Sequence, residues 1–212
     1  MERVAQTYTC GLDSCEVTKR RKAITSPDWD ELYRTAAAQA GLFTLTQAEA
    51  SGYSSQHLQK HLASKRIARV RRGIYRLTHF PSGEHEELVA LWLWSGRDGV
   101  FSHETSLALH DLSDVLPAIV HMTVPEAWRA RRLRVPDGLV LHHADLPDRS
   151  RTWFEVVPVT TPARVLAECI EEHVSPELIE QAIRQARQRG LVSGKEATDL
   201  GRRLRRSLTE PA

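Results

Sequence analysis

The sequence predicts an α+β protein: an N-terminal winged helix-turn-helix followed by a mixed α/β domain. Three observations carry this. Helix-start signals and a glycine turn mark three short helices between residues 26 and 64. Two apolar runs flanking Arg71-Arg72-Gly73 then read as a hairpin with a cationic tip. Beyond a Pro-Gly stretch, strand-like runs and helix patterns intermingle to the end of the chain.

Residues 1–25 show little periodicity and read as a disordered leader. Ser26-Pro27-Asp28 combines a capping hydroxyl, a first-turn proline and an acid at the positive end of the helix dipole, so a helix is expected from there to Gln39, closed by Gly41. Trp29, Leu32, Tyr33 and Ala36 give it an apolar stripe. Leu42-Phe43-Thr44 suits a short strand. A second helix opens at Thr46-Gln47-Ala48-Glu49 and stops at Ser51-Gly52. Ser54 caps a third through about Ser64, with Leu58 and Leu62 facing inward. Ile67–Val70 and Ile74–Leu77 form the hairpin, with Gly73 where its turn needs a permissive backbone. The glycine of Ser51-Gly52-Tyr53 stands where a helix-turn-helix turn requires one. The first domain is thus 26–78.

His79 to Gly83 reads as a linker, and 84–212 as the second domain. Helices are expected over Glu84–Trp94, from Ser102 to His110, from Thr161-Pro162 to Glu172, from Ser175-Pro176 to Arg189, and from Gly194 to Arg206. Strands are expected at Val100-Phe101, Ile119–Val124, Leu139–His142 and Phe154–Val159.

The longest apolar run, Leu88–Trp94, is far shorter than the roughly 20 residues that span a bilayer. No apolar signal core follows Met1-Glu2-Arg3, so a cytoplasmic protein without a membrane partner is expected. The three cysteines do not form a disulfide framework: Cys169 lies in an apolar stretch, and Cys10 and Cys15 have no second Cys/His pair nearby for zinc.

Net charge is only +2, but its distribution is uneven. Ser54–Arg76 holds Lys60, Lys65, Arg66, Arg69, Arg71, Arg72 and Arg76 without one acid, leaving the other residues at −5. A concentrated basic patch on an acidic remainder is the footprint of a polyanion binder. On the third helix Ser54 and Ser55 stand at its start, and Gln56 and Gln59 have the amides that read base edges. Lys60, Lys65 and Arg69 suit phosphates. Arg71 and Arg72, at the wing tip, suit a minor groove. A second basic run, Arg129, Arg131, Arg132 and Arg134, follows Trp128.

The stretch Gly41-Leu42-Phe43-Thr44-Leu45-Thr46-Gln47-Ala48 through Arg69-Val70-Arg71-Arg72-Gly73-Ile74-Tyr75-Arg76-Leu77 resembles the N-terminal domain of AbiEi-family antitoxins. These belong to type IV toxin–antitoxin and abortive-infection systems. Weaker matches are Val100 to His110, Val120 to Pro125 and Val157 to Arg164, so the resemblance spans about residues 28 to 192. It implies a repressor that binds inverted repeats in its own promoter. It also implies a second domain that counters a nearby nucleotidyltransferase-like toxin, with or without stable contact. A stand-alone regulator whose second domain senses a ligand or dimerises is the alternative.

Enzyme readings find no support in the residues, and no cofactor or metal is expected. No acid is followed two residues later by lysine, as a metal-dependent nuclease commonly needs, and no Gly-Ser dipeptide or Gly-x-Ser-x-Gly elbow occurs. Asp28-Trp29-Asp30, the one Asp-x-Asp, sits where acids cap a helix. His103, His110 and His121 are conceivable as a metal set, but polar packing is the expectation for them.

Overall fold

A computed structural model describes residues 26–209; the expected leader, with Cys10 and Cys15, lies outside them. The protein is mixed α+β, with eight α-helices and two sheets among the described residues.

The first unit contains α1 (Trp29–Ala37), β1 (Leu42–Thr44), α2 (Leu45–Ala50), α3 (Ser55–Ala63), β2 (Ile67–Arg71) and β3 (Ile74–Leu77). Its caps refine the sequence expectations. Asp28, not Ser26, is the N-cap of α1, where its carboxylate accepts the backbone N–H of Glu31 at 3.0 Å. An ionised oxygen there satisfies an orphan donor and meets the helix dipole. α2 starts one residue earlier than expected, because Thr44 and Gln47 form a reciprocal capping box. Of the stripe on α1, Leu32 and Ala36 are buried while Tyr33 is exposed.

The three strands are antiparallel in the order β1-β3-β2. β2 is therefore an edge strand, and its pairing with β3 shifts between Arg69 and Arg71. The two-residue turn Arg72-Gly73 places Gly73 at φ +77°, a conformation that favours glycine. Leu32, Phe43, Leu58, Ile67, Tyr75 and Leu77 form the core of this unit.

The second unit comprises α4 (Glu86–Trp94), β4 (Val100–Phe101), α5 (His103–Leu109), β5 (Val120–Val124), β6 (Leu139–His143), β7 (Arg151–Phe154), β8 (Val157–Thr160), α6 (Pro162–Glu171), α7 (Pro176–Gln188) and α8 (Gly194–Ser207). The sheet order is β6-β5-β4-β8-β7, with β5–β6 and β4–β8 parallel and the other pairs antiparallel. The strand expected over Phe154–Val159 is two strands. The chain reverses at Glu155-Val156, with Glu155 at φ +49°, and Phe154 pairs with Val157. The apolar run hid this turn because neither turn residue is glycine, asparagine or proline.

α4 is apolar on most of its surface, with Val89 to Leu93 buried, because it has neighbours on more than one side. It shares one cluster with Phe101, Met122, Val124 and Val159 of the large sheet and with Leu42 and Ile74 of the small one. The two units are thus packed through a common apolar seam. A separate cluster joins α5 to α6, α7 and α8 around Leu107, Leu166, Cys169, Ile179 and Leu200. Burial pushes the Cys169 thiol pKa up and keeps it protonated. No helix of the described residues is long and apolar enough to cross a membrane.

Candidate nucleic-acid interface

α3 is two-faced. Leu58 is buried and Leu62 partly so, while Ser55, Gln56, Gln59, Lys60 and Ala63 are exposed. The spacing of one, four, five and eight residues after Ser55 puts these five on one continuous stripe. That stripe has no acid, and Ser55 and Lys60 flank its two amides. Ser54 is at the N-cap and its hydroxyl already accepts from the backbone N–H of His57 at 3.3 Å, so its first task is to start the helix. Lys65 stands in the link from α3 to β2, exposed and at φ +54°. Arg69 is exposed on the edge strand, and Arg72 is exposed in the hairpin turn.

Arg71 differs from these. Its Nη2 lies 2.9 Å from Glu87 Oε1 on α4, and the side chain is 29% exposed. Arg76 is likewise turned to α4, with Nε 3.0 Å from Glu86 and Nη2 donating to the carbonyl of Phe80. Two of the seven cations are therefore partnered by acids at the start of α4. Lys60, Lys65, Arg66, Arg69 and Arg72 remain exposed without an ion pair among the described residues.

Arg66 belongs to the basic window but carried no role from its sequence position. Its guanidinium sits 5.7 Å from the Trp29 ring centroid, and Trp29 in turn stacks on His61 at 5.2 Å. This pins the base of α3 to α1 and keeps the Arg66 charge beside Lys60 in a shallow depression that Tyr53, His57 and Ser64 also line. Burial first, then the charge of Arg66, holds His61 below the usual histidine range.

The second basic run is less free. Arg129 pairs with Glu126 at 2.6 Å, and Arg131 lies over Trp128 at 4.4 Å. Asp28 of the Asp-x-Asp is occupied as the α1 cap. Of the three histidines conceivable as a metal set, His110 is apart, its Nε2–H donating to the Thr160 carbonyl at 2.7 Å. His142 instead joins His103 and His121.

A mixed α+β chain with a small helix–strand unit bearing an acid-free, cation-rich face is the architecture in hand. Residues 30–78 match the family model described as "Transcriptional regulator, AbiEi antitoxin", which bears out over that segment the resemblance read from the sequence. Among curated proteins nothing matches. Among solved structures the RV2827C protein from Mycobacterium tuberculosis is similar over 82% of this chain and 80% of that one, at 12% identity and a TM-score of 0.44.

Proposed function

We propose that residues 26–78 form a winged helix-turn-helix that binds double-stranded DNA at the chain's own promoter, and that the protein is a repressor and antitoxin of the AbiEi type. The observation that supports this most is the α3 stripe of Ser55, Gln56, Gln59 and Lys60 beside four further exposed cations without an ion pair among the described residues, on the segment that matches the regulator family. In this reading Gln56 and Gln59 reach base edges in a major groove. Lys60, Lys65, Arg66 and Arg69 hold phosphates, which fix register without reading sequence. Arg72 leads the wing into the neighbouring groove. Units 26–78 and 84–212 divide the work, the second countering a nucleotidyltransferase-like toxin encoded nearby, without a stable complex being required.

A salt titration of binding to promoter duplex tests the reading. About five phosphate contacts give a slope of log K against log salt of roughly −4 to −5. A slope near zero overturns it. Inverted repeats would appear as two protected half-sites in a footprint. Growth rescue on co-expression with the neighbouring toxin gene separates an antitoxin from a stand-alone regulator.

A further inference from the structure

The second unit brings three histidines together from three separate elements. His103 opens α5, His121 lies on β5 and His142 on β6, next to β5 in parallel register. Their ring nitrogens lie within 4.8 Å of one another. His121 Nδ1 is 3.0 Å from His142 Nε2, and the His103 and His142 rings stack with centroids 3.6 Å apart. Two carboxylates close the set. Glu172 Oε1 is 3.7 Å from His142 Nδ1 and 4.0 Å from His103 Nε2, and Glu104 Oε2 is 3.7 Å from His121 Nε2.

Packing alone leaves three features of this cluster unexplained. His121 Nε2 is buried without a hydrogen-bond partner, although a buried polar nitrogen normally has one. His103 holds φ +52°, a strained backbone for a residue with a side chain, and it is kept there by the buried carboxylate of Glu168, which accepts its backbone N–H at 3.2 Å. Glu172 is the C-cap of α6, where the helix dipole disfavours a negative charge. A cation bound between Glu172 and the imidazoles removes that penalty and supplies a partner for the histidines.

We propose that His103, His121 and His142, completed by Glu172, form a binding site for one first-row transition metal ion of the zinc class. Three imidazoles and one carboxylate are a nitrogen–oxygen set that Zn²⁺ takes. At metal–ligand distances of about 2.1 Å, tetrahedral donors stand about 3.4 Å apart. The three histidine donors lie within 4.8 Å of one another. Glu172, which faces His142 Nδ1 rather than the Nε2 turned to His121, swings in from the exposed rim to join them. The surrounding groups fit the supporting role that metal-ligating histidines require. His103 Nδ1 is committed to Ser102 Oγ at 2.9 Å, which leaves Nε2 for an ion, and Ser102 Oγ in turn accepts from the Thr123 hydroxyl at 2.8 Å. Burial above all, with the neighbouring His142 and His121, lowers the His103 pKa to about 3, so the ring is neutral and its lone pair free. With four protein ligands the site is closed. The ion ties α5, β5, β6 and the end of α6 together and leaves no open position for a substrate. The site is independent of the DNA-binding reading and stands or falls separately.

The test uses the full chain with Cys10→Ser and Cys15→Ser, so that thiols do not compete, after removal of metal by a chelator. Co²⁺ is the probe, followed by displacement with Zn²⁺. One equivalent of Co²⁺ per chain is expected, with the visible absorption of a four-coordinate nitrogen–oxygen site, lost on adding Zn²⁺ and accompanied by a higher Tm. His142→Ala abolishes the band. Because that change opens a buried cluster, Glu172→Gln on the half-exposed rim is the second variant: it keeps the metal-free Tm and weakens Co²⁺ binding by about 10–100-fold. His110→Gln, outside the cluster, leaves binding unchanged. Absence of Co²⁺ binding, or binding that Glu172→Gln does not weaken, overturns the site.

Discussion

The two units place their polar chemistry on opposite sides of the protein surface. Of the eleven buried polar or charged residues among those described, only Gln39 and Ser51 lie in the first unit. The other nine, including Ser102, His103, Ser106, Thr123, Thr160 and Glu168, are inside the second. Conversely, the first unit carries its amides and cations on an exposed helix stripe and an edge strand. A surface that meets a polyanion must keep its charges solvated and mobile until contact, and its core can be plainly apolar. A polar interior is costly unless every group is partnered, so it survives where it holds geometry for something. The contrast predicts that substitutions will separate cleanly into those that change binding and those that change stability.

The largest expected effect is in the second unit. Glu168 accepts from Arg164 Nε at 2.8 Å, from the Thr160 hydroxyl at 3.2 Å and from the His103 backbone. Glu168→Ala leaves the buried Thr160 hydroxyl and His103 N–H without an acceptor, while Arg164, 41% exposed, turns to water. Each buried donor left unpaired costs about 1–3 kcal/mol. Chemical denaturation should show this loss, with DNA affinity of the remaining folded protein unchanged. A loss below about 0.5 kcal/mol, the scale of surface changes, would mean that the buried network is not a scaffold.

The next effect is in the first unit and has the opposite signature. Gln59→Ala should cost about 1–3 kcal/mol on operator DNA, relax preference at one base position, and leave affinity for scrambled duplex unchanged. Its stability should not move, since the side chain is exposed. Equal loss on both duplexes for Gln56→Ala and Gln59→Ala would show that α3 is not the reading helix.

A finer comparison lies within the basic window, between Arg71 and its neighbours. Glu87 holds Arg71 while Arg69 and Arg72 are unpartnered. Glu87→Gln should therefore release one cation and steepen the salt slope by about 0.9. Arg69→Ala should flatten it by about the same amount, whereas Arg71→Ala in the parent chain should change it less. An equal flattening by both arginine variants would mean that DNA takes Arg71 from Glu87 on binding.

What was legible in the sequence follows the same division. The first unit was readable nearly residue by residue, because caps, a turn glycine and a charge window are local signals. Even there the cap of α1 moved two residues, from Ser26 to Asp28, and α2 opened at Leu45, one residue before Thr46, because the Thr44 hydroxyl caps it. The engagement of Arg71 with α4 was not legible, since it depends on how Glu87, sixteen residues on, is folded back. In the second unit the helices were found from Thr161-Pro162 and Ser175-Pro176, but the β7–β8 turn at Glu155 carried no turn residue. The histidine cluster was misassembled for a topological reason. His103 and His110 are seven apart on one helix, yet His142 joins His103 only because β6 lies parallel beside β5, a pairing that sequence spacing does not encode.

The smallest expected effect concerns pH, and it again falls on the second unit. His110 is partly buried, and burial is the main reason its pKa lies below that of a free histidine. The charge of Arg189 acts the same way, and the bond to the Thr160 carbonyl opposes both. In the unfolded chain the ring titrates near about 6.5. Below that pH the unfolded state therefore binds more protons than the folded one, and the slope of unfolding free energy with pH is positive. Stability should be unaffected by this group above pH of about 6.5 and should fall as the solution is acidified beyond it. His110→Gln keeps a donor for the Thr160 carbonyl but does not titrate. Urea unfolding of the two proteins between about pH 8 and pH 5 isolates the contribution, because every other titrating group is common to both. The parent should lose stability faster than His110→Gln on the acid side, and the curves should run parallel on the basic side. Parallel curves throughout would mean that His110 protonates in place without penalty, and that the polar interior around Thr160 is more open to water than its packing implies.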